Sequence, residues 1–169
     1  MLLRKMIQYL HNLISCIFPP TRLFAFKRSL FRLLGVSLEN DVKIGDCIKL
    51  FLKGSLNIQR DVWVGRGCEF YIPRGAKMHI GNKVDIGPNV HFMCGSHEIS
   101  NHSQRAGPGM AADLIIGNGV WIGGRSTILG GVVLGNGVVV AAGSLVLPGE
   151  YPDDVLLAGV PAEVKRSLK

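Results

Sequence analysis

Residues 116–146 read IGNGVWIGGRSTILGGVVLGNGVVVAAGSLV, and the stretch keeps time in sixes. An aliphatic residue recurs at Ile116, Ile122, Ile128, Leu134, Val140 and Val146, with a small residue behind it at Gly117, Gly123, Gly135 and Ala141. The same phase runs back through Ile80-Gly81, Ile86-Gly87 and Phe92, then Ile58, Val64-Gly65 and Phe70, to a weaker copy at Ile44-Gly45 and Leu50. Two residues ahead of each aliphatic, a second position is small or branched, as at Val84, Val90, Val120, Ser126, Val132, Val138 and Ser144. Period six fits neither an amphipathic helix nor a two-sided strand, so each hexapeptide reads as a short strand plus a turn in a solenoid. Three hexapeptides close an 18-residue triangular coil, and coils stack by parallel pairing at about 4.8 Å.

The rhythm breaks twice. Ile58 and Ile80 stand 22 apart, four more than a coil, and Pro73-Arg74-Gly75 supplies turn chemistry for the bulge. Ile80 and Ile116 stand 36 apart, 18 more than one coil, and the extra residues fall in a polar loop over residues 94–113. That loop holds His97, Glu98, His102 and Arg105, and so long an insertion in a compact solenoid points to function.

Composition agrees with this architecture. The 169 residues are 47% hydrophobic with a mean hydropathy of +0.29, enough for one core. The 22 glycines argue against a helical bundle. The net charge of +7 is concentrated, because Arg4, Lys5, Arg22, Lys27, Arg28 and Arg32 lie within residues 1–34 beside no acid. Without a basic stripe interleaved with aromatics on the repeat domain, nucleic acid is not an expected partner. Cys16, Cys47, Cys68 and Cys94 form no metal-ligand spacing and read as small buried residues in a reducing compartment.

Residues 2–18 place Leu3, Met6, Ile7, Leu10, Leu13, Ile14 and Ile17 at helical spacing, stopped by Pro19-Pro20, and residues 21–34 read as a second, basic helix. The first stretch is too interrupted for a membrane span or a signal peptide, so a cytoplasmic, uncleaved helix is expected. Two roles fit residues 1–36: a cap on the first coil's open edge, and attachment to an anionic membrane surface at the inner face of the cytoplasmic membrane. The β-helix is expected over 37–157 and a C-terminal tail over 158–169.

Residues 78–166 resemble the hexapeptide-repeat acyltransferases, especially the maltose, galactoside and nodulation-factor O-acetyltransferases and their envelope-polysaccharide relatives. The resemblance rests on IGNKVDIGPNV at 80–90, GSHEI at 95–99, IGNGVWIG at 116–123, AAGS at 141–144 and AGVP at 158–161. It implies a left-handed parallel β-helix, acetyl-CoA as co-substrate with no metal, a sugar or saccharide acceptor and a homotrimer. It makes His97 the general base, a neutral imidazole taking the proton of a sugar hydroxyl as that oxygen attacks the thioester. Trp121, Gly124 and Ala142 match positions along the pantetheine arm, and Lys165 and Arg166 fall near the CoA phosphates. His79, 18 residues before His97, is expected one coil beneath it in the acceptor cleft, with Glu98, His102 and Arg105 as further acceptor-side residues. The chain departs from the branch at Leu147-Pro148, where a Thr-Lys pair is usual, and near Cys68 and Glu69, where a sugar-binding Asn has no counterpart.

Two other readings share the architecture. The γ-class carbonic anhydrases place zinc between subunits on three histidines, two of them spaced as His97 and His102 are. A non-catalytic β-helix scaffold is the other, although it has no use for the long polar loop.

Overall fold

The computed structural model describes residues 2–169, so Met1 lies outside the described residues. The chain winds as a parallel β-helix of about six turns with three faces. Face A carries Ser37–Leu38, Ser55–Ile58, Lys77–Ile80, Leu114–Ile116, Val132–Leu134 and Gly149–Tyr151. Face B carries Lys43–Ile44, Trp63–Val64, Asp85–Ile86, Trp121–Ile122, Val139–Val140 and Val155–Gly159, then Ala162–Ser167. Face C carries Lys49–Leu52, Glu69–Ile72, His91–Met93, Thr127–Leu129 and Leu145–Val146.

The hexapeptide phase becomes three columns of stacked side chains. Ile58, Ile80, Ile116 and Leu134 pair in register on face A. Ile44, Val64, Ile86, Ile122, Val140 and Leu157 do so on face B. Leu50, Phe70, Phe92, Ile128 and Val146 complete face C, where the Phe70 and Phe92 rings stack at 5.0 Å. All are buried, as are the second inward residues Val84 through Ser144. Each such aliphatic side chain stabilises the fold by about 1.5–3 kcal/mol. Ile80 pairs directly with Ile116, so one coil separates them and the insertion accounts for the other 18 residues.

The glycine that follows most of the face A and face B aliphatics has a steric cause. A Cβ on Gly117 would stand 2.7 Å from the carbonyl carbon and oxygen of Gly135, because the next coil's backbone passes at that corner. Asn82, Asn118, Asn136 and Asp153 form a ladder there, each side-chain oxygen accepting the backbone N–H of the residue before it in the column.

A helix, α1 (Leu2–Ile14), continues through a 3₁₀ turn at Ser15–Ile17, and α2 (Phe24–Leu33) follows. Together they close the first coil's edge. From α1, Asn12 exchanges two hydrogen bonds with the Leu50 backbone, the Gln8 carbonyl accepts from the Leu52 N–H, and His11 Nε2–H donates to the Ile48 carbonyl. From α2, Arg32 donates to Leu38 O, Arg28 to Val42 O and Lys27 to Ile44 O. An unpaired strand edge is thus capped by polar side chains aimed at its free backbone groups. Arg4 donates to Leu34 O, so four of the six cations of this segment serve the cap. No helix of the described residues is long and apolar enough to cross a membrane.

Lys27 is 2% exposed, and its ammonium donates to the carbonyls of Pro19, Pro20 and Ile44. Burial lowers its pKa, and the charge of Asp46 opposes that shift.

Two expectations are corrected by the packing. Cys16 is exposed and joined to Cys47 by a disulfide that ties the cap to the first coil, whereas Cys68 and Cys94 are free and buried. The two partners meet only through tertiary docking of the cap, which cysteine spacing does not reveal. Residues 162–167 are not a plain tail but a strand antiparallel to Val155–Gly159 that borders face B.

Candidate active site

The inserted residues fold as an antiparallel hairpin, Gly95–Ile99 against Ala106–Ala111, rather than an irregular loop. It leaves the solenoid at the corner between faces C and A. Asp113 fastens its exit by accepting the Lys77 N–H at 2.7 Å. His97 lies opposite Gly109, and the register shifts between His97 and Ile99. The exposed His97 ring places Nδ1 2.8 Å from the Gly107 carbonyl oxygen. A carbonyl can only accept, so the neutral ring carries its proton on Nδ1 and leaves the Nε2 lone pair free.

Two clefts meet at this histidine, sharing Gly95, Ser96, His97 and Met110. The first, about 360 Å³, extends over the earlier coils and is lined further by Lys53, Tyr71, Pro73 and Arg74. The second, about 220 Å³, extends over the later coils along Met93, Cys94, Leu129 and Pro148 and is largely apolar. Burial pushes the Cys94 thiol up to about 11, with Asp113 adding to the shift, so it stays protonated and is a poor nucleophile at neutral pH.

The other expected site residues are distributed differently. His79 is on face A, paired with Asn57 and Ile115, and lines neither cleft. The reason is that His97 projects on the hairpin beyond the end of face C, so residues of Glu69–Ile72 lie below it instead. Glu98, His102 and Arg105 are exposed along the hairpin toward its tip, Arg105 donating to Ser100 O, and none lines either cleft. Within the described residues of one protomer, no group of three or more His, Cys, Asp or Glu gathers around His97 and His102 as zinc ligation requires.

Trp121, 56% exposed, stands on the outside of face B. It shares one transverse row with Val139, Leu156 and Arg166, which places Trp121 and Arg166 three strands, about 14 Å, apart. Lys165 sits in the bulge of that last pairing and binds Glu163 at 2.9 Å. Gly124 and Ala142 lie one coil apart at the corner between faces B and C, where Gly143 N–H donates to Gly124 O. These five positions therefore occupy a different side of the prism from His97.

Lys53, Tyr71, Arg74, Met110 and Pro148 are cleft residues that the repeat pattern did not single out. A signal for three of them was present: the extra residues of successive coils, around Lys53-Gly54, over 73–76 and over 94–113, all follow face C.

Stacked hexapeptides with a histidine-bearing hairpin at one corner define a hexapeptide-repeat β-helix protein. Residues 113–148 match the family described as bacterial transferase hexapeptide (six repeats). The chain is 37% identical over 89 residues to the galactoside O-acetyltransferase of Escherichia coli, a match covering 53% of this chain and 43% of that protein. It spans under half the length of the curated relatives it matches. Among solved structures, a hexapeptide-repeat-containing acetyltransferase from Vibrio cholerae superposes with TM-score 0.68 at 26% identity, covering 98% of this chain and 93% of that one. Its complex with acetyl-CoA superposes with TM-score 0.65 at 27% identity, covering 98% and 87%. The resemblance to the hexapeptide-repeat acyltransferases, read from the sequence, thus holds in both sequence and fold.

Proposed function

We propose that the protein is an acyl-CoA-dependent O-acetyltransferase that moves an acetyl group from acetyl-CoA to a sugar hydroxyl, with His97 as general base. The observation that carries this reading is the fixed His97 tautomer, which leaves Nε2 free on a residue that lines both clefts. Nε2 takes the hydroxyl proton as the sugar oxygen attacks the thioester carbonyl; the tetrahedral intermediate then expels the CoA sulfur, which receives that proton from the imidazolium. No covalent enzyme intermediate is needed, in keeping with the protonated Cys94. The similarity to a galactoside acetyltransferase and to an acetyl-CoA-bound structure supports both donor and acceptor class.

The donor track runs along face B. The Trp121 ring packs the pantetheine arm beside Gly124 and Ala142, and Arg166 with Lys165 meets the phosphates further along the row. Because this track and His97 lie on different sides of one prism, the reading requires a second copy to bring face B against the hairpin. A cyclic homotrimer does this three times over. Envelope polysaccharide is the acceptor setting we infer. The outer face of α1 supports a location at an anionic membrane, since Leu3, Met6, Tyr9, Leu10 and Leu13 are exposed there and no acid precedes Glu39.

Acetyl-CoA consumption measured across a panel of sugars tests the activity. Acceptor-dependent release of CoA is expected, and its absence with every sugar refutes the transferase reading.

A further inference from the structure

Lys53 and Arg74 reach the His97 cleft from two successive coils, each from extra residues at the corner between faces C and A. Lys53 follows Leu52 at the end of the first face C strand, and Arg74 rides the bulge after Ile72. Bulges re-aim side chains in this way. Neither cation has a carboxylate partner among the described residues, whose ion pairs are Arg66–Asp46, Lys165–Glu163 and Lys169–Asp154. No Asp or Glu lines the cleft at all. Its remaining surface includes the Tyr71 ring, which packs so closely over Gly95 that a Cβ there would stand 2.6 Å from a ring carbon. Two unpaired cations over an aromatic floor, beside a general base, form a site selective for a negatively charged ligand with a flat apolar ring face.

Resting on the acetyl-transfer reading above, we propose that the acceptor is an anionic saccharide. Its carboxylate or phosphate is held by Lys53 and Arg74 while Tyr71 supports the sugar ring and one hydroxyl faces His97. The CoA phosphates are the competing anions, and chain length excludes them. The thioester carbon must lie within reach of the hydroxyl that His97 deprotonates, and the apolar cleft beside Cys94, Leu129 and Pro148 suits it. The pantetheine arm then carries the diphosphate well away from His97. A cleft adjoining the base is left to the acceptor.

The test is binding followed without turnover, by calorimetry, with glucose, glucuronate and glucose 1-phosphate as probes on the full chain and on the Lys53→Gln/Arg74→Gln double variant. The anionic sugars should bind at least about tenfold tighter than glucose, the strength of a charge-assisted contact. That preference should weaken with salt and vanish in the double variant, while Tm and acetyl-CoA affinity stay unchanged. Comparing glucuronate with glucose 1-phosphate distinguishes carboxylate from phosphate recognition. Equal binding of the three sugars, no binding by any, or a preference that survives both substitutions overturns the proposal. Acetyl transfer to neutral sugars with no anion preference refutes this subsite alone, whereas acceptors that bind but are never acetylated refute the transferase reading.

Discussion

His97 Nδ1 and the Gly107 carbonyl oxygen, 2.8 Å apart, lock the imidazole across the two strands of the hairpin. The bond fixes which nitrogen is basic without drawing on a carboxylate. Replacing His97 with Ala should lower kcat by about 100- to 10,000-fold, the usual contribution of a general base. Because the ring is exposed and outside the stacked core, Tm should remain at the wild-type value. Full activity in this variant, measured with an acceptor that wild type uses, rejects His97 as the base.

A shared site has a distinctive genetic signature. His97→Ala and Trp121→Ala proteins, each of low activity, should regain part of the wild-type rate when unfolded together and refolded as mixed trimers, since some interfaces then pair an intact His97 with an intact Trp121. Light scattering should show three copies. A fully active monomer, or mixed trimers with no recovery, contradicts the interfacial arrangement.

Lys27→Met removes the ammonium that bonds three carbonyls beneath the cap and strands the buried one, on Ile44. The cost should be about 3 kcal/mol, the scale of stranded buried polar groups. Denaturant unfolding reads it, and a change within error of zero shows that the cap tolerates an apolar side chain there.

His11 gives the cap a pH dependence. Its Nε2–H bonds Ile48 O, its Nδ1 is buried without a partner, and burial lowers its pKa below the usual 6.5, against a smaller opposing effect of the Ile48 bond. The unfolded chain therefore binds the proton more readily than the folded one. Stability attributable to His11 is complete above about pH 6.5 and is lost as pH falls from there through the lowered folded value. Thermal midpoints recorded between pH 7.5 and 5 should fall, and His11→Gln should flatten the curve; an unchanged slope in the variant assigns the effect elsewhere.

If the outer face of α1 meets a membrane, the protein should float with vesicles rich in phosphatidylserine at low salt and release as salt is raised. Leu10→Ser with Leu13→Ser should abolish flotation, because both side chains face outward. Indifference to lipid charge leaves α1 as a cap alone.

The periodic parts of this molecule were legible because periodicity is local. Ile116, Ile122 and Ile128 occupy the three faces in the order that spacing dictates, and the positions of both interruptions were visible. What the interruptions build was not. The hairpin pairing of His97 with Gly109 depends on strand association within the insertion, and the displacement of His97 from above His79 follows from it. The cap was read as amphipathic and basic, with capping and membrane attachment both open, but the carbonyls of the solenoid edge that Lys27, Arg28 and Arg32 bond could not be named. Such contacts, like Gln8 to Leu52 across 44 residues, join segments with no common pattern. The Cys16–Cys47 connection was hidden for the same reason.

The order of these contacts along the chain bears on how the molecule is made. The two helices precede the coil they cover, so a chain emerging N-terminus first has its template in place before the first strands arrive. Leu50 and Leu52 meet amide side chains of α1 that are already synthesised, and each later turn then lands on a completed neighbour. Vectorial winding on this template is the expected order of folding, with Ala162–Ser167 doubling back along face B after the last coil.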